Sequence, residues 1–163
     1  MNDTTDVLMH WARLPVEGAA QARALIGCWL EQHGFDQVKR ADANVIVSEL
    51  VTNAWRHGRS PVTVRASTPL PRCALIEVHD CGVRAPVLPA FPAIEAAGSP
   101  EEGGRGLHLV TVLAGGCCGV VPRGGAMGKA VWFALSPTAV PSFTAMSAQV
   151  RLRLQRERLV LGM

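Results

Sequence analysis

The chain has no long uncharged run of apolar residues, no C-x-x-C pair and no dense block of Lys and Arg. Each absence closes a class of function. A bilayer-spanning helix needs about 20 consecutive apolar residues, and none is written here. The opening MNDTTDVLMHWARLPVEG carries acids and no apolar centre, so it does not read as a signal peptide. The expectation is a cytoplasmic protein without a membrane partner. Five cysteines (Cys28, Cys73, Cys81, Cys117 and Cys118) are an odd number without zinc-type spacing. Small buried thiols account for them better than zinc does. The adjacent Cys117 and Cys118 fit a redox pair or a strand position about equally. A formal charge of +3, spread along the chain, does not call for nucleic acid.

Two phosphate-binding motifs are also missing. A P-loop around Gly128-Lys129 fails at both ends, where Arg123 and Ala130 stand. The dinucleotide fingerprint fails after Gly104 and Gly106, because Leu109 occupies the third glycine position.

What is present suits one compact domain: 163 residues, 48% apolar and 18% charged. VLMHWARL (7–14) predicts a strand. Residues 17–32 predict a helix with Ala20, Ala24, Ile26 and Leu30 in its apolar stripe and Gly34 as its stop. Asp36 is placed to cap a second helix that ends at His57 and Gly58. The period then changes. PVTVRAS and CALIEVHD alternate about the turn TPLPR, which makes a hairpin. Residues 84–103 hold four prolines, the composition of a lid or binding loop. Residues 104–113 predict a helix entered through glycines, and CCGVVPR, GGAMG and KAVWFALS a second hairpin. After Pro137 and Pro141 comes a basic, roughly helical tail with scattered apolar positions, expected as a peripheral helix or partner contact. The division is a domain over 1–136 and a tail over 137–163. Hairpins with helices clustered between them indicate an α+β, two-layer α/β sandwich.

The second helix carries an anomaly. At about 100° per residue, Glu49, Asn53 and His57 form a stripe beside the one made by Val47, Leu50, Val51 and Ala54. Such a stripe is either a solvated face or a face with something polar opposite it. VIVSELVTNAW has a single charge, which is sparse for a solvated face. Asp80 is in phase with Ala74, Ile76 and Val78, so its carboxylate points to the covered side of its strand or caps the turn beyond it. Gly82 follows, and GGRG (103–106) opens a helix. Glycines there permit close approach of an anion to free N–H groups, or merely start the helix.

E-x-x-x-N on a long helix, D-x-G after a strand, a Pro-rich segment and G-R-G-L on a helix together resemble the nucleotide-binding domain of the gyrase, chaperone, histidine-kinase and mismatch-repair (GHKL) ATPases, the Bergerat fold. Within that superfamily, ELVTNAWRHG, GGRGLHLV and GKAVWFAL are most similar to the stand-alone anti-sigma-factor serine/threonine kinases of bacterial partner switching, actinobacterial type. The likeness covers residues 7–136. It implies a mostly antiparallel sheet covered on one face by helices, with ATP and Mg²⁺ as cofactors. Glu49 then stands at the general base and Asn53 at the magnesium ligand. Asp80 stands at the acceptor of the adenine amino group, with Gly82 giving the base room. Gly104, Arg105, Gly106 and Leu107 stand at the phosphate-wrapping segment, and His57 at a basic position near the nucleotide. The implied activity is a protein kinase acting on a serine of an anti-anti-sigma antagonist, in a regulator that also holds a sigma factor. The family tends to dimerise.

Two positions depart from the pattern. Arg84 replaces the second glycine of D-x-G-x-G, and Lys129 follows Gly128 where a threonine is usual. These favour the alternative of a catalytically weak or inactive regulator that acts by docking. A metal or redox protein built on the cysteines with His79 or His108 has little support from spacing. A histidine kinase proper would need a dimerisation and phosphoacceptor domain before residue 17.

Overall fold

The computed structural model describes residues 5–89, 105–124 and 127–162. Among them the chain runs β1 (Thr5–Trp11), α1 (Gly18–Gln32), α2 (Gln37–His57), β2 (Val62–Leu70), β3 (Cys73–Asp80), α3 (Arg105–Leu113), β4 (Cys118–Pro122), β5 (Lys129–Leu135) and α4 (Phe143–Val160). The strands make one five-stranded antiparallel sheet in the order β1-β2-β3-β5-β4. This is the α+β architecture expected from two hairpins and interleaved helices.

Local chemistry sets the ends of these elements. The Asp36 carboxylate accepts the Lys39 N–H at 2.9 Å and starts α2, a cap worth about 1 kcal/mol. Ser142 does the same for α4 through Ala145 N–H at 3.3 Å. Strand β2 runs on to Leu70, so the hairpin turn is tighter than TPLPR suggests; Arg72 closes it with φ 58°.

Helices α1, α2 and α3 cover one face of the sheet. Ile26, Leu30, Ile46, Leu50 and Val110 pack there against Val64, Ile76 and Val78. The α2 stripe is as the helical wheel places it: Val47, Leu50, Val51 and Ala54 are all buried. The α1 stripe is rotated from the expected one. Ala22, Ile26, Trp29 and Leu30 are buried, whereas Ala20 and Ala24 are exposed. Trp29 fixes that rotation, since its indole must be covered while Nε1 donates to Asp6 Oδ2 at 2.8 Å.

Helix α4 covers the opposite face. Met146, Val150 and Leu154, spaced by four, are buried against Leu75, Trp132 and Ala134. The tail's apolar positions are therefore less scattered than its sequence suggests, because one stripe among them is core. Charged groups also lie under α4. Glu77 pairs with Arg153, Arg65 pairs with Glu157, and Arg123 lies 3.9 Å from Glu157. His79 is buried beside them, and burial, then Arg65 and Arg123, lower its pKa to about 3. With both faces covered, β3 is buried from Ala74 through Asp80. No helix among the described residues is long and apolar enough to cross a membrane.

Candidate functional site

The end of α2, the start of α3, and the ends of β3 and β5 converge at one side of the sheet. Glu49 and Asn53 project from α2 one turn apart and are half-buried. With Thr52, Arg56, His57, Gly106 and Leu107 they line a cleft of about 50 Å³. Asn53, His57 and Leu107 also line a second cavity of about 250 Å³, walled by Arg84, Ala85, Pro86 and Val87. The polar stripe thus faces the start of α3 and the beginning of the Pro-rich segment. A roomier cavity, about 590 Å³, lies elsewhere, between β4 and residues 140–143, and shares none of the candidate residues.

Gly106 shows how closely α3 approaches α2. The place a Cβ would take on it is already filled by Glu49 Oε2. Only the lack of a side chain lets the carboxylate sit against the first turn of α3, where free N–H groups carry partial positive charge. Arg105 is exposed beside it, and Leu107 is partly buried against the core. Gly104 lies outside the described residues. His57 is exposed at the last turn of α2.

Asp80 is buried, as its phase on β3 requires, and it is paired. Its Oδ1 accepts the Gly82 N–H at 2.7 Å and the Lys129 ammonium at 2.9 Å. Gly58 and Gly82 press against it: a Cβ on either would stand 2.8 or 2.9 Å from Asp80 side-chain atoms. Gly128, at φ 79°, lies so close to the Asp80 backbone that a Cβ would overlap it. Asp80 lines neither the cleft at Glu49 nor the cavity at Arg84.

The structure brings Glu49, Asn53, His57, Gly106 and Leu107 together and leaves Asp80 and Gly82 sealed at the sheet end. Sequence reasoning missed Thr52 and Arg56 as cleft walls. It noted Lys129 for the hydroxyl it lacks rather than the ammonium it brings. The β3–β5 register sets Asp80 opposite Lys129, a pairing that a single sequence does not fix.

The fold is of the GHKL ATPase type. A family model described as "Histidine kinase-like ATPase domain" matches residues 13–134, and the chain belongs to that family. Among solved structures it is similar to the RsbU and RsbW domains of Rv1364c from Mycobacterium tuberculosis. The TM-score is 0.55 at 21% identity, over 78% of this chain and 32% of the other. The chain therefore spans about a third of that structure's length. No curated protein matches.

The residues divide when tested against Mg²⁺ and a nucleotide. The carboxylate and amide oxygens of Glu49 and Asn53, on one cleft against a helix start, suit a hard cation and phosphates. The base end fits less well, because the carboxylate expected to receive a base already holds an ammonium.

Proposed function

We propose that the chain is a nucleotide-binding anti-sigma regulator that transfers a phosphoryl group to a serine of an antagonist protein. The observation that carries this reading is the placement of Glu49 and Asn53 on one cleft, with the Glu49 carboxylate against Gly106 at the start of α3. Bound Mg·ATP would supply the transferable γ-phosphoryl group. Asn53 would offer its amide oxygen to the metal. Glu49 would accept the proton of the attacking hydroxyl, a general-base role that contributes about 10²–10⁴-fold. The N–H groups of Gly106 and Leu107 would face the phosphates, and Arg105 and His57 would balance their charge. Gly104 takes the same phosphate-wrapping role by its place in the motif. The sigma factor and the antagonist are the protein partners, and the family habit is dimerisation.

The test is incubation with γ-labelled ATP and candidate antagonists, followed by mapping of the labelled residue. Label on one antagonist serine, lost in Glu49→Ala, is the expected result. Transfer that survives Glu49→Ala would remove Glu49 from the role of base.

A second reading has its own observation. The Asp80–Lys129 pair and Arg84, in place of a flexible glycine, favour a regulator that docks partners with little or no transfer. Partner binding without label on any candidate antagonist would select it.

A further inference from the structure

Glu49 stands between two recesses on α2. With its direction taken as zero, Asn53 and His57 lie at about +40° and +80° around the helix. Both line the cavity walled by Arg84, Ala85, Pro86 and Val87. Arg56, Thr52 and Trp55 lie on the other side, at about −20°, −60° and −120°. There a groove of about 180 Å³ has Pro15, Val16, Val51 and Trp55 among its apolar walls and Thr52 and Arg56 as its polar ones. Thr52 and Arg56 also line the cleft at Glu49, so groove and cleft share a wall. Trp55 and Val16 are 53% and 78% exposed, whereas the other three tryptophans, Trp11, Trp29 and Trp132, are buried. Single exposed apolar residues are ordinary on a protein surface; two that line one recess beside a polar cleft are not. The recess is smaller than the about 300 Å³ at which small-molecule sites begin, and it suits one side chain.

We infer that this groove takes one apolar side chain of the antagonist segment that presents the target serine. The inference rests on the phosphoryl-transfer reading above and says how the hydroxyl is aimed. In-line transfer sets the attacking and leaving oxygens on opposite sides of the phosphoryl group. With metal and phosphates on the Asn53 side of Glu49, the hydroxyl reaches the carboxylate from the Thr52 and Arg56 side. A chain crossing there meets the Thr52 hydroxyl and the exposed Arg56 guanidinium, donors for its carbonyl oxygens, and then the groove. Trp55 follows Glu49 by six residues, so the anchoring side chain sits about 9 Å from the serine hydroxyl. Tryptophan and arginine are the residues that most often dominate such contacts. An anchor away from the reacting atoms serves orientation.

The experiment is steady-state transfer from γ-labelled Mg·ATP to the antagonist that the full chain labels. Wild type, Trp55→Ala and Trp55→Phe are compared, with melting temperature as the check on folding. Trp55→Ala should raise KM for the antagonist by about tenfold and leave kcat and the KM for Mg·ATP within about twofold. Trp55→Phe should restore the antagonist KM to within about threefold of wild type. On the antagonist, truncating to alanine the apolar residue at that distance from the mapped serine should raise KM by the same factor. The two truncations together should then cost no more than either alone. An antagonist KM unmoved by Trp55→Ala, or two losses that multiply, overturns the inference while transfer itself stands. So does a groove filled by a second copy of the chain, seen as weaker self-association of Trp55→Ala in sedimentation with the antagonist KM unmoved. Should Trp55→Ala fail to fold, Val16→Ser takes its place. If the wild type labels no antagonist, the transfer reading falls and takes this inference with it.

Discussion

The carboxylate of Glu49 occupies the place where a side chain on Gly106 would have to stand. One residue belongs to α2 and the other to the first turn of α3, so this glycine sets how near the two helices' functional ends come. Gly106→Ala separates activity from stability. The methyl group meets only the end of a flexible side chain, so Glu49 swings aside and the fold persists. Alanine in a helix is worth about 0.5–1 kcal/mol over glycine, so the melting temperature should hold or rise. Displacing Glu49, the proposed base, by about 1 Å should lower phosphoryl transfer by about 10². Paired melting and transfer assays check this, and a joint fall in both would refute it.

Under the proposed function, Glu49→Gln and Asn53→Ala should fail in different ways. The first keeps the shape and loses the proton acceptor. Transfer should fall by about 10²–10⁴ while nucleotide affinity changes little. The second removes an oxygen ligand, so the Mg²⁺ concentration for half-maximal binding should rise by about tenfold. Magnesium titrations of both variants distinguish the roles.

His79 makes the fold sensitive to acid. It is neutral when folded, with a pKa near 3 against 6.5 in the open chain. Its contribution is fully present above pH 6.5, since neither state then binds the proton. As the pH falls towards 3 the unfolded chain takes up a proton that the folded chain refuses, and stability declines by up to about 1.4 kcal/mol per pH unit. Urea midpoints should therefore drop between pH 7 and pH 4.5. His79→Gln, which cannot charge, should show a shallower fall.

Met146→Ala tests how firmly α4 is seated. The side chain is fully buried against the second face of the sheet. Truncation should cost about 2–5 kcal/mol, read as a lower urea midpoint. A loss below about 0.5 kcal/mol, the size of a surface change, would mean that the helix is only loosely placed.

The first face of the sheet was legible in the sequence because period 3.6 on α2 and period 2 on β3 both point at it. Those periods separated the stripe of Glu49 and Asn53 from the apolar stripe and put Asp80 on the covered side. The second face was hidden for a physical reason. Arg65, Glu77 and His79 alternate with the apolar residues of β2 and β3, yet Glu77 and His79 are buried and Arg65 is half-buried, because α4 lies over them and brings Arg153 to Glu77 and Glu157 to Arg65. The stripe of Met146, Val150 and Leu154 was blurred by Leu152, Leu159, Val160 and Leu161, which are exposed. The Asp80–Lys129 contact depends on the register of two strands 49 residues apart, and a single sequence does not fix that register.

The family match stops at residue 134, ahead of α4. A shortened chain cut there would lose the cover over Leu75, Trp132 and Cys117. Burial chiefly, and then Cys118 and Cys73, push the Cys117 thiol up to about 12. Uncovered, it would return towards ordinary thiol acidity beside a bare apolar patch. Oxidative cross-linking and aggregation would then follow from the cut itself, and inactivity of such a fragment would say nothing about the proposed nucleotide cleft on the far side of the sheet.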